Sequence, residues 1–428
     1  MPTAPNPLAS LQSGALAGAR RLQLRAGLTE FPAAIFDLAD TLEELDLSGN
    51  ALTALPADLH RLRRLKVLFA SNNPFTELPP ALGRCPQLEL VGFKACRIDR
   101  VGPEALPEQL RWLILTDNRL ADLPEALGQR PRLQKLMLAG NRLSRLPLGL
   151  RSAAQLELVR IAANAFERFP ALLAELPRLA WLAVAGNPFS DALEAQGVAR
   201  HPGACIDWSA LTLHERLGEG ASGLIHAATW RRVPPADVAV KLFKGAVTSD
   251  GLPRSEMTAS IAAGTHPHLI GIEGRIVGHP QGVDGLVMAR VGREFQTLAA
   301  PPSLSSCTRD VYAADLRLAP TVALRVGQGL AAAVAHLHER GILHGDLYGH
   351  NTAVNDDGDA RLGDFGAASF LPVGDATLSG ALRRMEMRAL AVLLGELIEH
   401  LADGDDPTQQ RARADLQALH ESALTWNP

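Results

Sequence analysis

Basic charge is in short supply: Lys and Arg number 42 against 46 Asp and Glu, a formal net charge of −4. No bulk positive field invites nucleic acid. Cysteine is scarce too. Cys85, Cys96, Cys205 and Cys307 lie far apart, no two have metal-ligand spacing, and a disulfide framework would be denser. Reduced thiols in a cytoplasmic protein are the expectation. The amino terminus, MPTAPNPLASLQSG, lacks the basic stretch and apolar run of a secretory signal. Nor is any run suited to a bilayer. The most apolar segment, ALAVLLGELIEHLA at 389–402, carries Glu396, Glu399 and His400, which fits a buried globular helix. Neither a membrane span nor a nucleic-acid partner is expected.

What is present, first, is a repeat. The frame LEELDLSGN at 42–50 returns as LKVLFASNN, LRWLILTDN, LQKLMLAGN, LELVRIAAN and LAWLAVAGN. LELVGFKAC puts Cys96 in the slot of Asn50, and RRLQLRAG at 20–27 is a degenerate first copy. The slot falls at 27, 50, 73, 96, 118, 141, 164 and 187, a period of 22 or 23. Leu42, Leu45 and Leu47 point one way from a short strand, Asn50 turns the chain, and Leu55, Pro56 and Leu59 fill the far side of the coil. The Asn amide can bond the backbone of neighbouring coils as a ladder. One coil cannot bury its own apolar face, so stacking stabilises the array. This pattern resembles the leucine-rich repeat family over about residues 20–190. The fourth copy, with Cys96 and with Val101-Gly102 in place of Leu-Pro, predicts a local kink.

The strand slots between the leucines face out of the concave surface. One column reads Glu44, Val67, Leu90, Trp112, Lys135, Leu158, Trp181; the next reads Asp46, Phe69, Gly92, Ile114, Met137, Arg160, Ala183. An apolar stripe of Val67, Phe69, Leu90, Trp112, Ile114, Met137, Leu158 and Trp181 is expected to be exposed as a partner face. Its occupant would be a protein, either a substrate or partner or this chain's own second half.

The second half opens with LGEGASGLIHAATW at 217–230. Gly218, Gly220 and Gly223 make G-x-G-x-x-G, which alone also fits a dinucleotide-binding turn. Here, however, the glycines lie between two strand-like runs, and VAVK at 238–241 follows. Glu256 then stands in a helix-like stretch, HPHL at 266–269 reads as a turn, and GLVMARV at 285–291 as a strand and hinge. A long apolar-spaced segment at 323–343 leads into HGDLYGHN at 344–351, and Asp364-Phe365-Gly366 follows. Five motifs in this order resemble the eukaryotic-type protein kinase family over about 211–400. The two halves together resemble bacterial leucine-rich repeat protein kinases.

The resemblance implies roles. Asp346 would accept the proton of the attacking hydroxyl. Lys241, fixed by Glu256, would position ATP, and Asn351 and Asp364 would hold Mg2+. Nucleotide contact would run through Leu217, Gly218, Glu219, Gly220, Ala221, Ser222, Gly223 and Ile225, with Ala239, Met288, Ala289 and Val291 at the base. Met288 would be the gatekeeper. Three departures stand out. Gly345 replaces the arginine that meets a phosphorylated activation loop, Tyr348 replaces a lysine, and no Ala-Pro-Glu follows Asp364. The anchoring helix at 385–401, with Glu386 at the usual aspartate, would begin about twenty residues after Gly366. The platform that docks a peptide is therefore mostly missing.

The expected fold is multidomain: an α/β leucine-rich repeat horseshoe, then an α+β bilobal protein kinase-like domain with a shortened C-lobe. The expected boundaries are 1–19 for a lead, 20–190 for the repeats, 191–210 for a cap and linker, and 211–428 for the kinase-like domain. The expected activity is Ser/Thr-type transfer of the γ-phosphate of Mg-ATP to a protein, with the repeats binding substrate or partner. A nucleotide-binding scaffold without turnover, and a small-molecule phosphotransferase, remain open.

Overall fold

The computed structural model describes residues 7–427 apart from 221, 246, 249, 373, 404 and 405. Two compact units emerge: residues 1–159 with 164–178, and residues 160–163 with 179–428.

The first unit begins with helix α1 (Pro7–Gln12). Seven strands of three residues follow: β1 (Arg21–Gln23), β2 (Glu44–Asp46), β3 (Val67–Phe69), β4 (Leu90–Gly92), β5 (Trp112–Ile114), β6 (Lys135–Met137) and β7 (Leu158–Arg160). With β8 (Trp181–Ala183) they make an eight-stranded sheet in sequence order, whose first six strands pair in parallel. Short 3-10 turns, or helix α2 (Leu172–Glu175), form the opposite side of the coils. The leucine positions face inward: Leu42, Leu45, Leu47, Leu52 and Leu59 are fully buried. Each such burial contributes roughly 1.5–3 kcal/mol.

The Asn ladder forms. Asn73 Oδ1 accepts from the Leu52 amide at 2.9 Å, and its Nδ2 donates to Leu47 O at 2.9 Å and Ala70 O at 3.0 Å. Asn118 repeats the pattern with Ile98, Phe93 and Leu115. The irregular fourth copy does not break the sheet, since β4 and β5 keep register from Leu90↔Trp112 to Gly92↔Ile114.

The expected apolar stripe is not a continuous exposed surface. Val67, Leu90, Leu158 and Trp181 are buried, whereas Phe69, Trp112, Ile114 and Met137 are half-buried. Trp112 is further covered by Lys135, whose ammonium lies 4.0 Å from the ring centroid.

In the second unit, Asn187 caps helix α3 (Pro188–Arg200) through a reciprocal capping box with Ser190. Strand β9 (Cys205–Asp207) follows and joins a six-stranded sheet with β10 (Leu211–Glu219), β11 (Gly223–Trp230), β12 (Ala236–Phe243), β13 (Ile272–Val277) and β14 (Gly285–Ala289). The order is β10-β11-β12-β14-β13-β9. The segment at 191–210 thus contributes a helix and an edge strand. Helix α4 (Pro253–Ala263) carries Glu256.

Below this sheet, helix α5 (Pro320–Glu339) buries Ala323, Val326, Leu330, Ala333, Val334 and Leu337, the spacing of one helical face. Two small ladders flank the motif loops. Strand β15 (Gln296–Thr297) pairs with β17 (Thr352–Val354), which pairs with β18 (Ala360–Leu362); β16 (Ile342–Leu343) pairs with β19 (Ser369–Phe370). Helix α6 (Ala376–Glu399), capped by Asp375, starts ten residues after Gly366. That corrects the expected spacing of about twenty. Helix α7 (Pro407–Thr425) completes the unit. Among the described residues no helix is long and apolar enough to cross a membrane.

Candidate active site

The site is built by the two halves of the second unit. Lys241 lies two residues before the end of strand β12, and helix α4 presents Glu256 to it. Both side chains are buried, and the Lys241 ammonium donates to Glu256 Oε1. Asp364 Oδ1 lies 3.7 Å from the same nitrogen. Burial opposes the charge on Lys241, but the Asp364 and Glu256 carboxylates overcome it and hold the pKa above its ordinary value. Burial pushes the Glu256 carboxyl up to about 7, against the pull of Lys241.

The loop after β16 supplies the second group. Asn351 Nδ2 donates to Asp346 Oδ2 and to Asp346 O, each at 2.9 Å. The His344 ring bonds Gly363 O at 2.9 Å, and Gly363 N–H donates to Asn351 O at 3.0 Å. These bonds tie the 344–351 loop to the Asp364 loop. Asp364 has φ +55°, an uncommon left-handed conformation for a residue other than glycine.

The glycines answer to geometry. Gly345 has φ +74°, and a Cβ there would meet Leu182 O and Ala367 O, each at 2.6 Å. Its amide donates to Glu386 Oε1 at 2.8 Å, while Glu386 Oε2 bonds His338 at 2.7 Å. Glycine at 345 is therefore a packing requirement here. In the 217–223 hairpin, Gly220 N–H donates to Gly223 O at 3.0 Å. A Cβ at Gly218 or Gly220 would meet nothing within 4 Å, whereas at Gly223 it would strike Leu242 O at 2.5 Å. The backbone at Gly218 and Gly220 thus faces open space.

The remaining expected contacts are placed as follows. Ser222 is buried near Glu256, Glu219 pairs with Lys244, Leu217 is exposed and Ile225 is half-buried opposite Lys241 in the β11–β12 register. Ala221 lies outside the described residues. Ala239 is buried and faces Met288 across β12 and β14; Ala289 and Val291 follow, half-buried. Asn351 and Asp364 offer the oxygen donors that a hard divalent cation prefers. Among the described residues no group of three or more His, Cys, Asp or Glu forms a metal cluster.

Several partners escaped the sequence reading. Arg160, the last residue of β7, donates to Asp346 Oδ1, to Gly345 O at 3.1 Å and to Asp250 Oδ1 at 2.9 Å. Burial would raise the Asp346 pKa, but Arg160, His350, His344 and the Asn351 amide hold it below the ordinary value. Asp310 accepts from the His350 amide at 3.1 Å and bonds its ring at 2.7 Å. An arginine among apolar strand slots was the only available hint of the first of these. Nothing local marked Asp250 or Asp310.

Comparison with known proteins finds a family match in each half of the chain. The family described as protein tyrosine and serine/threonine kinase matches residues 211–392, and the leucine-rich repeat family matches 41–62 and 64–85. Serine/threonine-protein kinase mos of Xenopus laevis is 24% identical over 219 residues, covering 50% of this chain and 56% of that protein. Serine/threonine-protein kinase PrkC of Bacillus subtilis is 27% identical over 139 residues, 28% of this chain and 22% of that one. Human PH domain leucine-rich repeat-containing protein phosphatase 1 is 36% identical over 92 residues, 21% of this chain and 5% of the other. The chain thus spans little more than half the length of the first of these relatives, and a smaller part of the other two. It is a fusion of leucine-rich repeats with a domain of the protein tyrosine and serine/threonine kinase family.

Proposed function

We propose that the chain is an ATP-dependent protein kinase of the Ser/Thr type. The supporting observation is the convergence of Lys241, Glu256 and Asp364 beside Asp346 and Asn351 under an open glycine hairpin. Lys241 anchors the phosphates and Glu256 fixes Lys241. Met288, Ala239, Ala289 and Val291 border the base. Asn351 and Asp364 hold Mg2+, which when bound neutralises charge on the transferring group. Asp346 orients the acceptor hydroxyl and takes its proton as the new oxygen–phosphorus bond forms and the bond to the β-phosphate oxygen breaks. Positioning and charge neutralisation are most of what this chemistry needs.

The repeats recruit the protein that is acted on, through the half-buried Phe69, Trp112, Ile114 and Met137. The short C-terminal part, with α6 and α7 as the only helices after Gly366 among the described residues, favours a second reading in which the acceptor is a small alcohol. The test is phosphate transfer from labelled Mg-ATP by the full chain and by Asp346→Asn. Labelling of protein that the substitution abolishes supports the kinase. Turnover with alcohols alone supports the second reading. Nucleotide binding with no transfer to either acceptor would overturn both.

A further inference from the structure

We propose that Arg160 holds the phosphotransfer site shut by occupying the oxygen of Asp346 that an acceptor hydroxyl needs. The inference rests on Asp346 being the proton acceptor. Residues 160–163 belong to the same compact unit as 179–428, so the contact is internal to that unit. The Arg160 side chain is only 3% exposed. Its planar head donates in three directions, to Asp346 Oδ1, Gly345 O and Asp250 Oδ1. The other carboxylate oxygen of Asp346 already accepts from Asn351. Both oxygens are therefore engaged by donors, and a buried guanidinium covers the one that Asn351 leaves. A hydroxyl cannot approach that oxygen while Arg160 remains, and a carboxylate bonded to a cation is a weaker base.

The neighbours hold the same arrangement. Asp250 closes the turn in which the Thr248 hydroxyl accepts from the Asp250 and Gly251 amides, directly ahead of the helix that carries Glu256. Arg160 thus bridges the segment before α4 and the 344–351 loop. On the same loop, Trp181 N–H donates to Leu347 O at 2.9 Å, and from helix α6 Arg388 Nε donates to Leu179 O at 2.9 Å. An arginine that served transfer directly would present free donors to a phosphate. This one is enclosed, with its donors directed at two carboxylates and a carbonyl.

The test uses the full chain with Arg160→Met, which keeps length and bulk but donates nothing, and Asp250→Asn, which loosens Arg160 without touching Asp346. Both are compared with the wild type for phosphate transfer, for nucleotide affinity and for carbodiimide labelling of Asp346 read by peptide mass. Arg160→Met is expected to raise transfer about tenfold or more at unchanged nucleotide affinity, with Asp250→Asn intermediate. Transfer that falls while nucleotide affinity holds would overturn the lock and make Arg160 a positioning residue. If no protein transfers phosphate, the kinase reading fails by itself and labelling decides the lock. Faster labelling of Asp346 in both variants supports it, and unchanged labelling overturns it.

Discussion

Trp181 lies flat on Tyr348, with ring centroids 4.6 Å apart and planes 6° from parallel. The indole N–H also donates to Leu347 O. A side chain expected to meet either a partner protein or this chain's own second half is thus one of the supports of the 344–351 loop. Trp181→Ala should lower stability by about 3–5 kcal/mol, because it opens a cavity and removes a buried hydrogen bond. The shift in denaturant midpoint measures it. The Tyr348 hydroxyl, by contrast, finds no hydrogen-bond partner among the described residues. Tyr348→Phe should be neutral, or stabilising by about 1 kcal/mol, because it keeps the stack and removes a buried polar atom. A clear loss of stability would mean that the hydroxyl is bonded in solution.

The repeat ladder supplies a second prediction. Cys96 sits in an Asn slot, its Sγ 3.5 Å from Ala70 O and 3.6 Å from Lys94 O. Asn73 and Asn118, one coil away on either side, make stronger bonds from equivalent places. Burial also holds the Cys96 thiol above its ordinary pKa, which argues against a reactive thiolate. Cys96→Asn should therefore stabilise the first unit by about 1 kcal/mol. Asn118→Cys should cost a similar amount. Urea unfolding of the three proteins compares them directly.

What could be read before the structure was whatever local pattern controls. The leucines of each coil, the Asn slots and the chain order of Lys241, Glu256, Asp346, Asn351 and Asp364 all belong to short motifs, and the structure brings the last five together. What could not be read is what covers a face. The strand columns say that Trp181 and Arg160 point outward, but not that Tyr348 and Asp346 meet them. Arg160 and Asp346 are 186 residues apart in sequence. Gly345 shows a subtler limit. The motif marks it as a departure from a family pattern, while the reason is the backbone carbonyls of Leu182 and Ala367. The start of α6 was placed too late because an Asp375 cap, rather than hydrophobic spacing, sets it.

That glycine can be tested by the smallest possible change. Gly345→Ala adds one methyl group at φ +74°, against two carbonyl oxygens 2.6 Å away. The left-handed conformation alone costs roughly 1 kcal/mol for a residue with a Cβ. The contacts with rigid backbone add to it, so the loop must shift. Stability should fall by more than about 1 kcal/mol, and phosphate transfer should fall with it at unchanged expression. A variant with wild-type melting and transfer would show that the loop adopts another conformation in solution.

Two hydrogen-bonded pairs, Asp310–His350 and His338–Glu386, set opposite limits on pH. Burial would lower the His350 pKa, but the hydrogen bond and charge of Asp310, with the charges of Asp346 and Asp364, hold it above its ordinary 6.5. A raised folded-state value means that this contribution is complete below the unfolded value and fades as pH climbs through the folded one. Glu386 behaves inversely. Burial would raise its pKa, yet the His338 hydrogen bond and charge and the Gly345 amide bring it below the ordinary 4.5. Its contribution is therefore complete above 4.5 and fades as pH falls through the lower folded value. Stability should be greatest between these limits and decline on both sides. His350→Gln should flatten the alkaline limb and leave the acid limb, while Glu386→Gln should flatten the acid limb only. Thermal melts of the three proteins across pH 3 to 9 would read both limbs, where about 1.4 kcal/mol corresponds to each unit of displaced pKa. An alkaline limb unchanged in His350→Gln would detach the Asp310–His350 pair from the stability of the loop.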